Sequence, residues 1–517
     1  MSRSIRGGIA LLLLLFLPRV ATAQSRMTPY EQLQVLSTVI NQVRRSYVDS
    51  VSYHHLVRAA VEGMLASLDP HSRYESREEF ERRMGFERGE LASPGIAVDI
   101  LDGAVIVLGV ADDSPAARAG LQPGDRVKAV DGETMEGVGA AEIADRLLGE
   151  KGSRLRLTLA RGSRIDPDTF TVSLRREQLE LRVVSPPVAL GPEVAYVRLA
   201  LFDEESDRQL RDAIREARKD GARQLVLDLR NNPGGSLAAT SRIANLFLPE
   251  GALAFELIGR TAGRSDSLRV EEEGEFRRMP LVVLVNESSA SAAEILAASL
   301  QDLDRAVVVG RRTFGKALAQ QPFPLPSGDV VWLTTARVRT ASGRFIQRRY
   351  QGIAPGQYEA NAGQVDAAIR DSQAFRTIGG RPVSGGGGVL PDIEVAWGTY
   401  PAWFSVASDS GWTILLADSV AATLPAAPTA LMPWVGDSLG WKARLLEPLT
   451  DRVRGRLDVH SAPDARASWR MARSLAARVA EVRWGTEGGR QFLLRSDPDV
   501  AAALDALGRY VEILAPR

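Results

Sequence analysis

Residues 281–300 read LVVLVNESSASAAEILAASL: an apolar run, a tight polar turn, and then a segment with helical periodicity. This pattern predicts a strand that hands over directly to a helix, the unit of a layered α/β domain. It puts Ser291 at or near the helix N-terminus, where backbone N–H groups without partners favour negative charge. A serine there also suits a plain N-cap, so a chemical role needs support from the rest of the chain.

On either side, the apolar runs VAYVRLA, QLVLDL, PLVVLV and RAVVVG alternate with the helical stretches DRQLRDAIREARK, LAATSRIANLFL and SAAEILAASLQ. Residues 178–395 therefore read as an α/β core. Residues 85–176 carry short β-like runs (IAVDI, AVIVLGV, RVKAV, RLRLTLA) broken by Gly and Asp, with one helical stretch, AAEIADRLLG. Residues 28–84 show apolar spacing of three and four, as in YHHLVRAAVEGMLASL, and predict amphipathic helices. Residues 396–517 are Ala-, Arg- and Leu-rich and also predict helices, with no role assigned. The chain is thus a multidomain α+β protein, as expected for 517 residues when a single core stops growing at roughly 250–300.

The 64 basic residues balance 64 acidic ones, so no net field attracts nucleic acid or anionic lipid. There is no cysteine, which removes disulfides, thiolate metal sites and a cysteine nucleophile. The first 23 residues combine Arg3 and Arg6, an apolar run from Ile9 to Leu17 and the small-residue site Ala21-Thr22-Ala23. They read as a signal peptide cleaved after Ala23, which implies an exported, periplasmic or otherwise extracytoplasmic protein.

Lysine occurs only at 128, 151, 219, 316 and 442, and arginine supplies the other basic residues. Lys316, in VVVGRRTFGKALAQ, is the one lysine of the α/β segment after Lys219. Arginine keeps its proton in a protein, whereas a buried lysine becomes neutral and serves as a base for a serine hydroxyl. Gln320, one turn beyond Lys316 if that stretch is helical, is placed to orient the amine. All four histidines, His54, His55, His71 and His460, lie outside the α/β segment, which disfavours a Ser-His-Asp triad without excluding it.

LVLDLRNNPGGSL ends a strand in Asn231-Asn232-Pro233-Gly234-Gly235, where glycine allows backbone N–H groups close to a ligand. The Gly235 and Ala292 N–H groups are candidates for an oxyanion hole. The segment from Gly310 to Ala317 nearly fits the phosphate-binding pattern GxxxxGK[ST]. It fails because Ala317 lacks the hydroxyl and Pro322, Pro324 and Pro326 would break the required helix. Gly385–Gly388 reads as a flexible turn without a ligand.

Taken together, these motifs resemble the C-terminal processing peptidases, or tail-specific proteases, over roughly residues 30–395. In that family's pattern Ser291 in SSASAAE corresponds to the nucleophile, Lys316 in TFGK to the base and Gln320 to the glutamine four residues on. DLRNNPGG corresponds to the oxyanion turn, YVDSVSYHHLVRAAVEGMLASLDPHSRY to the N-terminal helical segment, and SPAARAGLQPGDRVKAVDGE to a PDZ module. The resemblance implies a PDZ domain over 85–176 and a ClpP/crotonase-like protease core over 178–395. It also implies a loop at Gly95, Ile96 and Ala97 that takes a substrate's terminal carboxylate. Three positions depart from the pattern: Ala293 replaces a second serine, Val338-Arg339 replaces a Tyr pair, and Tyr350 to Pro382 is an insertion-like stretch.

The expected function is an exported serine endopeptidase acting on protein or peptide substrates with accessible C-termini. It needs no metal or organic cofactor and no nucleic acid, and leaves open a homo-oligomer or a regulatory partner. Two other readings stay open: a catalytically silent or partner-gated PDZ scaffold, and a PDZ protease with a Ser-His-Asp triad.

Overall fold

Thr28 Oγ1 accepts the Glu31 N–H while the Glu31 carboxylate accepts the Thr28 N–H, a reciprocal cap that starts helix α1 (Pro29–Ser46). The Tyr53 hydroxyl, at the start of α2 (Tyr53–Ala66), donates to Asn41 Oδ1 of α1, and the Arg44 guanidinium lies 3.9 Å from the Tyr53 ring centre. The computed structural model describes residues 28–515 apart from 88–90, 102–103, 112–113, 123, 139, 162–167, 179–182, 262–264, 354–356, 359–373, 410 and 455–462. The proposed signal segment, 1–23, lies outside the described residues. The chain divides into two units, residues 1–64 and 65–517.

The second unit opens with β1 (Arg73–Glu75) and α3 (Arg77–Glu87), followed by a small β-rich module. Its elements are β2 (Leu91–Ala92), β3 (Ile96–Leu101), β4 (Ala104–Val110), α4 (Pro115–Arg118), β5 (Arg126–Val130), β6 (Glu133–Thr134), α5 (Ala140–Leu147), β7 (Gly149–Glu150), β8 (Arg154–Arg161) and β9 (Asp168–Arg175). The sheet order is β3-β4-β5-β8-β9, with β6 on β5 and β2 paired to β7. RLRLTLAR alternates as a half-buried strand should, so Leu155, Leu157 and Leu159 all face a core shared with Val105, Val107 and Ile143. β3 is an edge strand of this sheet and α5 packs beside it.

The α/β core follows: β10 (Val188–Ala189), β11 (Val194–Arg198), α6 (Ser206–Lys219), β12 (Gln224–Asp228), α7 (Leu237–Phe247), β13 (Leu253–Gly259), β14 (Asp266–Arg269), β15 (Leu281–Val285), α8 (Ala292–Asp302), β16 (Val307–Gly310), β17 (Leu318–Pro324), β18 (Val330–Thr340), β19 (Ala374–Arg376), β20 (Pro382–Ser384) and β21 (Ile393–Glu394). The central sheet runs β10-β11-β12-β15-β16-β21, parallel except where β10 joins β11. A second sheet has the order β1-β18-β13-β14, with β17 also on β18. Pairing of β1 with β18 carries the preceding residues 69–72 to the same place, where Ser72 Oγ accepts the Thr334 N–H.

Every residue of β15 is buried, as a parallel strand covered on both faces requires. Leu281, Val283 and Val285 point to the side packed by α6, α7 and α8, with Ile214, Ile243 and Leu296 in one apolar cluster. Val282 and Leu284 point the other way, with Val226, Val307 and Val309.

That second face is covered by the end of the chain. The C-terminal part is helical: α9 (Ala402–Asp409), α10 (Trp412–Thr423), α11 (Leu431–Gly436), α12 (Ser438–Trp441), α13 (Glu447–Arg454), α14 (Ala465–Arg495, broken at Trp484-Gly485), α15 (Pro498–Gly508) and α16 (Tyr510–Ile513). Helices α9 to α14 enclose their own core around Trp403, Trp434, Trp441 and Phe492. Val500, Ala503, Ala506 and Leu507 of α15 instead close the open face of the central sheet. Burying side chains the size of Val500 and Leu507 contributes about 1.5–3 kcal/mol each, so α15 is a layer of the α/β core. No single helix among the described residues is long and apolar enough to cross a membrane.

Candidate active site

Ser291 occupies the N-cap position of α8 with φ +55° and ψ −116°, a conformation that costs a non-glycine residue about 1–3 kcal/mol. Its surroundings over-determine it. Ser289 Oγ donates to Leu229 O and accepts the Asn286 N–H, while the Asn286 amide is paired with Asn231 through both its oxygen and its nitrogen. The Ala290 N–H donates to Asn232 O, which stitches the serine turn to the Asn231–Gly235 turn at the end of β12. Gly234 fits against it so closely that a Cβ there would lie 2.7 Å from Ser291 Cβ and 2.9 Å from Ala292 N. The strained serine and the glycine turn form one rigid unit.

Within that unit Gly234 N–H is held by Asn232 Oδ1, whereas the Gly235 and Ala292 N–H groups donate to no acceptor among the described residues. Gly235 has φ +136°, and a Cβ on it would sit 2.1 Å from Phe202 O, so no other residue fits.

Lys316 comes to the same place through Glu294, a residue the sequence reading overlooked. The Glu294 carboxylate is fully buried in the first turn of α8 and accepts four donors. Its Oε2 takes the Ser291 N–H at 3.0 Å and the Lys316 N–H at 2.7 Å; its Oε1 takes the Gly315 N–H and the Thr313 hydroxyl. One oxygen thus joins the serine position to the lysine position. Burial raises the Glu294 pKa to about 7, against the pull of these four donors. The spacing Ser291-x-x-Glu294 is that of a capping box, the signal by which it was detectable.

The Lys316 amine is half-buried, and its pKa is lowered first by burial and then by the positive charge of Arg73, with Glu294 and Asp69 opposing. Among the described residues no hydrogen bond joins Lys316 Nζ to Ser291 Oγ; the link between the two runs through their backbone N–H groups and Glu294. The stretch from Lys316 is not helical: it enters β17, and Gln320 lies on that strand. Its amide donates to Leu318 O at 3.1 Å and Thr334 Oγ1 at 3.3 Å, not to the lysine, because pairing with β18 outcompetes a helix here.

Residues from the α2–β1 connection also enter. Asp69 accepts the His71 and Ser72 N–H groups, and His71 is near enough to Lys316 for the lysine's charge to act on it. Burial first, then Lys316, lowers the His71 pKa to about 4, so its ring is neutral at physiological pH. The Tyr358 ring, from the insertion-like stretch, packs edge-on against His71 and Phe314. The glycine run 385–388 is not a loose turn. Gly387 and Gly388 donate to Ile346 O, and a Cβ on Gly388 would lie 2.5 Å from Thr313 O, so the run is clamped beneath the lysine loop. In the β-rich module, Gly95 (φ +87°) and Ile96 lie where the chain enters β3 and Ala97 is its second residue; Gly95 N–H donates to Ser93 Oγ.

Comparison with known proteins decides the family. A carboxy-terminal-processing protease of Bartonella bacilliformis is 32% identical over 342 residues, which cover 65% of this chain and 77% of that protein. The chain belongs to the carboxy-terminal processing proteases. The model of peptidase family S41 matches residues 193–358 of this processing protease, and that of the PDZ domain matches 106–161. A carboxyl-terminal-processing protease of Synechocystis is 35% identical over 304 residues, covering 58% of this chain and 70% of its own. Among solved structures, a photosystem II D1 C-terminal processing protease is 27% identical, with a TM-score of 0.41, over 66% of this chain and 99% of that one. The protein is therefore a serine-type peptidase carrying a PDZ domain.

Proposed function

We propose that this peptidase hydrolyses protein chains at or near their C-termini, with Ser291 as nucleophile and Lys316 as general base. The observation that carries the proposal is the Glu294 oxygen shared by the Ser291 and Lys316 N–H groups. The neutral Lys316 amine takes the Ser291 Oγ proton as Oγ bonds to the scissile carbonyl carbon. The carbonyl electron pair moves onto oxygen, which the Gly235 and Ala292 N–H groups receive. Collapse breaks the C–N bond, and the leaving amine takes the proton from the Lys316 ammonium. Water then attacks the acyl-serine with the same base, releasing the acid and restoring Ser291. Gln320 enters this scheme as support for the strand that follows Lys316.

The edge strand β3 beside α5 supports the second part of the proposal: a substrate tail adds along β3, with its carboxylate at the turn containing Gly95, Ile96 and Ala97. Ser93 already holds the Gly95 N–H, so the neighbouring N–H groups are the donors proposed for the carboxylate. The basic, apolar and small-residue order of residues 1–23 supports export, with cleavage after Ala23.

A serine-directed fluorophosphonate tests the chemistry. One adduct is expected, on Ser291, absent from Ser291→Ala and formed at least about 100-fold more slowly by Lys316→Ala. An adduct on another residue, or unchanged labelling of Lys316→Ala, would contradict the assignment.

A further inference from the structure

The C-terminal helices carry a pair of carboxylates that the chemistry above does not use. Asp497 caps α15 by accepting the Asp499 N–H at 2.8 Å, and Asp499, in the first turn of that helix, is fully buried. Both carboxylates reach Arg230, whose Nη1 donates to Asp497 Oδ2 at 2.8 Å and to Asp499 Oδ2 at 2.9 Å. The same guanidinium is held from the other side by Asp228, itself bonded to the Tyr196 hydroxyl. Arg230 leads directly into the turn that ends at Gly235.

Asp499 Oδ2 also accepts Arg311 Nη1 at 3.2 Å, while Arg311 Nε donates to Glu287 at 2.8 Å. Arg311 starts the loop that carries Lys316, and Glu287 lies in the turn that carries Ser291. The remaining Asp499 oxygen accepts the Trp397 indole N–H at 3.0 Å. One buried carboxylate is therefore bonded to the oxyanion turn and to the lysine loop, and through Arg311 to the serine turn. Packing of α15 on the sheet needs only Val500, Ala503, Ala506 and Leu507, so it does not account for these charges.

We infer that Asp499, assisted by Asp497, is a positioning residue for catalysis: it locks the loops bearing the oxyanion donors, the base and the nucleophile in register, so that the C-terminal segment completes the active site. The inference rests on the Ser291–Lys316 reading. In the full mature chain, Asp499→Asn keeps the size of the side chain and removes its charge. Its kcat, counted per fluorophosphonate-titrated site well below the unfolding midpoint, is expected to fall by about 10- to 100-fold with KM within about twofold. A purely structural Asp499 would lower the unfolding midpoint and leave kcat per site unchanged, which would overturn the inference. Should Asp499→Asn not fold, Arg311→Gln, whose side chain is partly exposed, decides in its place. A fall in its kcat at steady KM supports the clamp, and a wild-type kcat refutes it. Ser291→Ala run alongside separates the two levels: if it stays active the dyad reading has failed, and if it is dead while both clamp variants are fully active only the clamp has failed.

Discussion

Gly234→Ala probes the fit between the glycine turn and the strained serine. The added methyl would lie 2.7 Å from Ser291 Cβ, 2.8 Å from Ala290 O and 2.9 Å from Ala292 N. Carbon–carbon contacts settle near 3.5–4.0 Å, so the turn and the serine must separate by on the order of 1 Å. That displacement moves a proposed oxyanion donor away from the carbonyl oxygen it would serve. Losing one such donor costs about 2.7–4 kcal/mol of transition-state stabilisation, so kcat is expected to fall by about 10²- to 10³-fold. Gly251→Ala is the control, since Gly251 also has a positive φ (+76°) but nothing within 4 Å of its would-be Cβ. It bears the backbone strain without the collision. The assay is kcat for a fluorogenic peptide, per titrated site, with unfolding midpoints for both variants. If Gly234→Ala keeps kcat within about threefold of the Gly251→Ala control, the argument for a shared oxyanion unit is wrong.

Two further expectations concern protonation. Lys316 must be neutral to act, so kcat/KM should climb with pH and level off at an apparent pKa below the lysine norm, since burial and then Arg73 disfavour the ammonium form. Arg73→Met removes the second of these causes and favours the ammonium form, so the limb of the pH–rate profile should move to higher pH; a limb that stays or moves down contradicts the assigned electrostatics. His71→Ala should keep activity within about tenfold of wild type, because a ring whose pKa is lowered to about 4 holds a proton too weakly to be an effective base near neutral pH. Inactivity as complete as that of Ser291→Ala would instead favour the histidine-based mechanism.

Much of the core could be read from local pattern. The all-apolar run Leu281–Val285 belongs to a strand buried on both faces, and the polar turn after it sets Ser291 at the head of α8, because both signals are contiguous in sequence. Lys316 stood out because a chain rich in arginine keeps a lysine there. Helix geometry for Lys316–Gln320 failed since β18, a partner many residues downstream, supplies strand hydrogen bonds that no local propensity encodes. Asp69 and Arg73 escaped notice, and His71 was seen only as a histidine outside the α/β segment, for the same reason: pairing of β1 with β18 brings them in from more than 240 residues away. Gly385–Gly388 looked flexible in isolation, whereas its glycines are required by the close approach to Thr313. The second face of the sheet could not be assigned a cover, because α15 lies some 200 residues beyond the strands it packs on.

The central claim is a serine activated by a lysine, and the most direct measurement is cleavage of an unstructured protein with an apolar C-terminus by residues 24–517, at about pH 6 to 10. Wild type is run beside Ser291→Ala, Lys316→Ala and Lys316→Arg. The account predicts that wild type cuts and that all three variants are inactive, the arginine variant included because its guanidinium stays protonated throughout this range. Cleavage by Lys316→Ala or Lys316→Arg at near wild-type rates would contradict it.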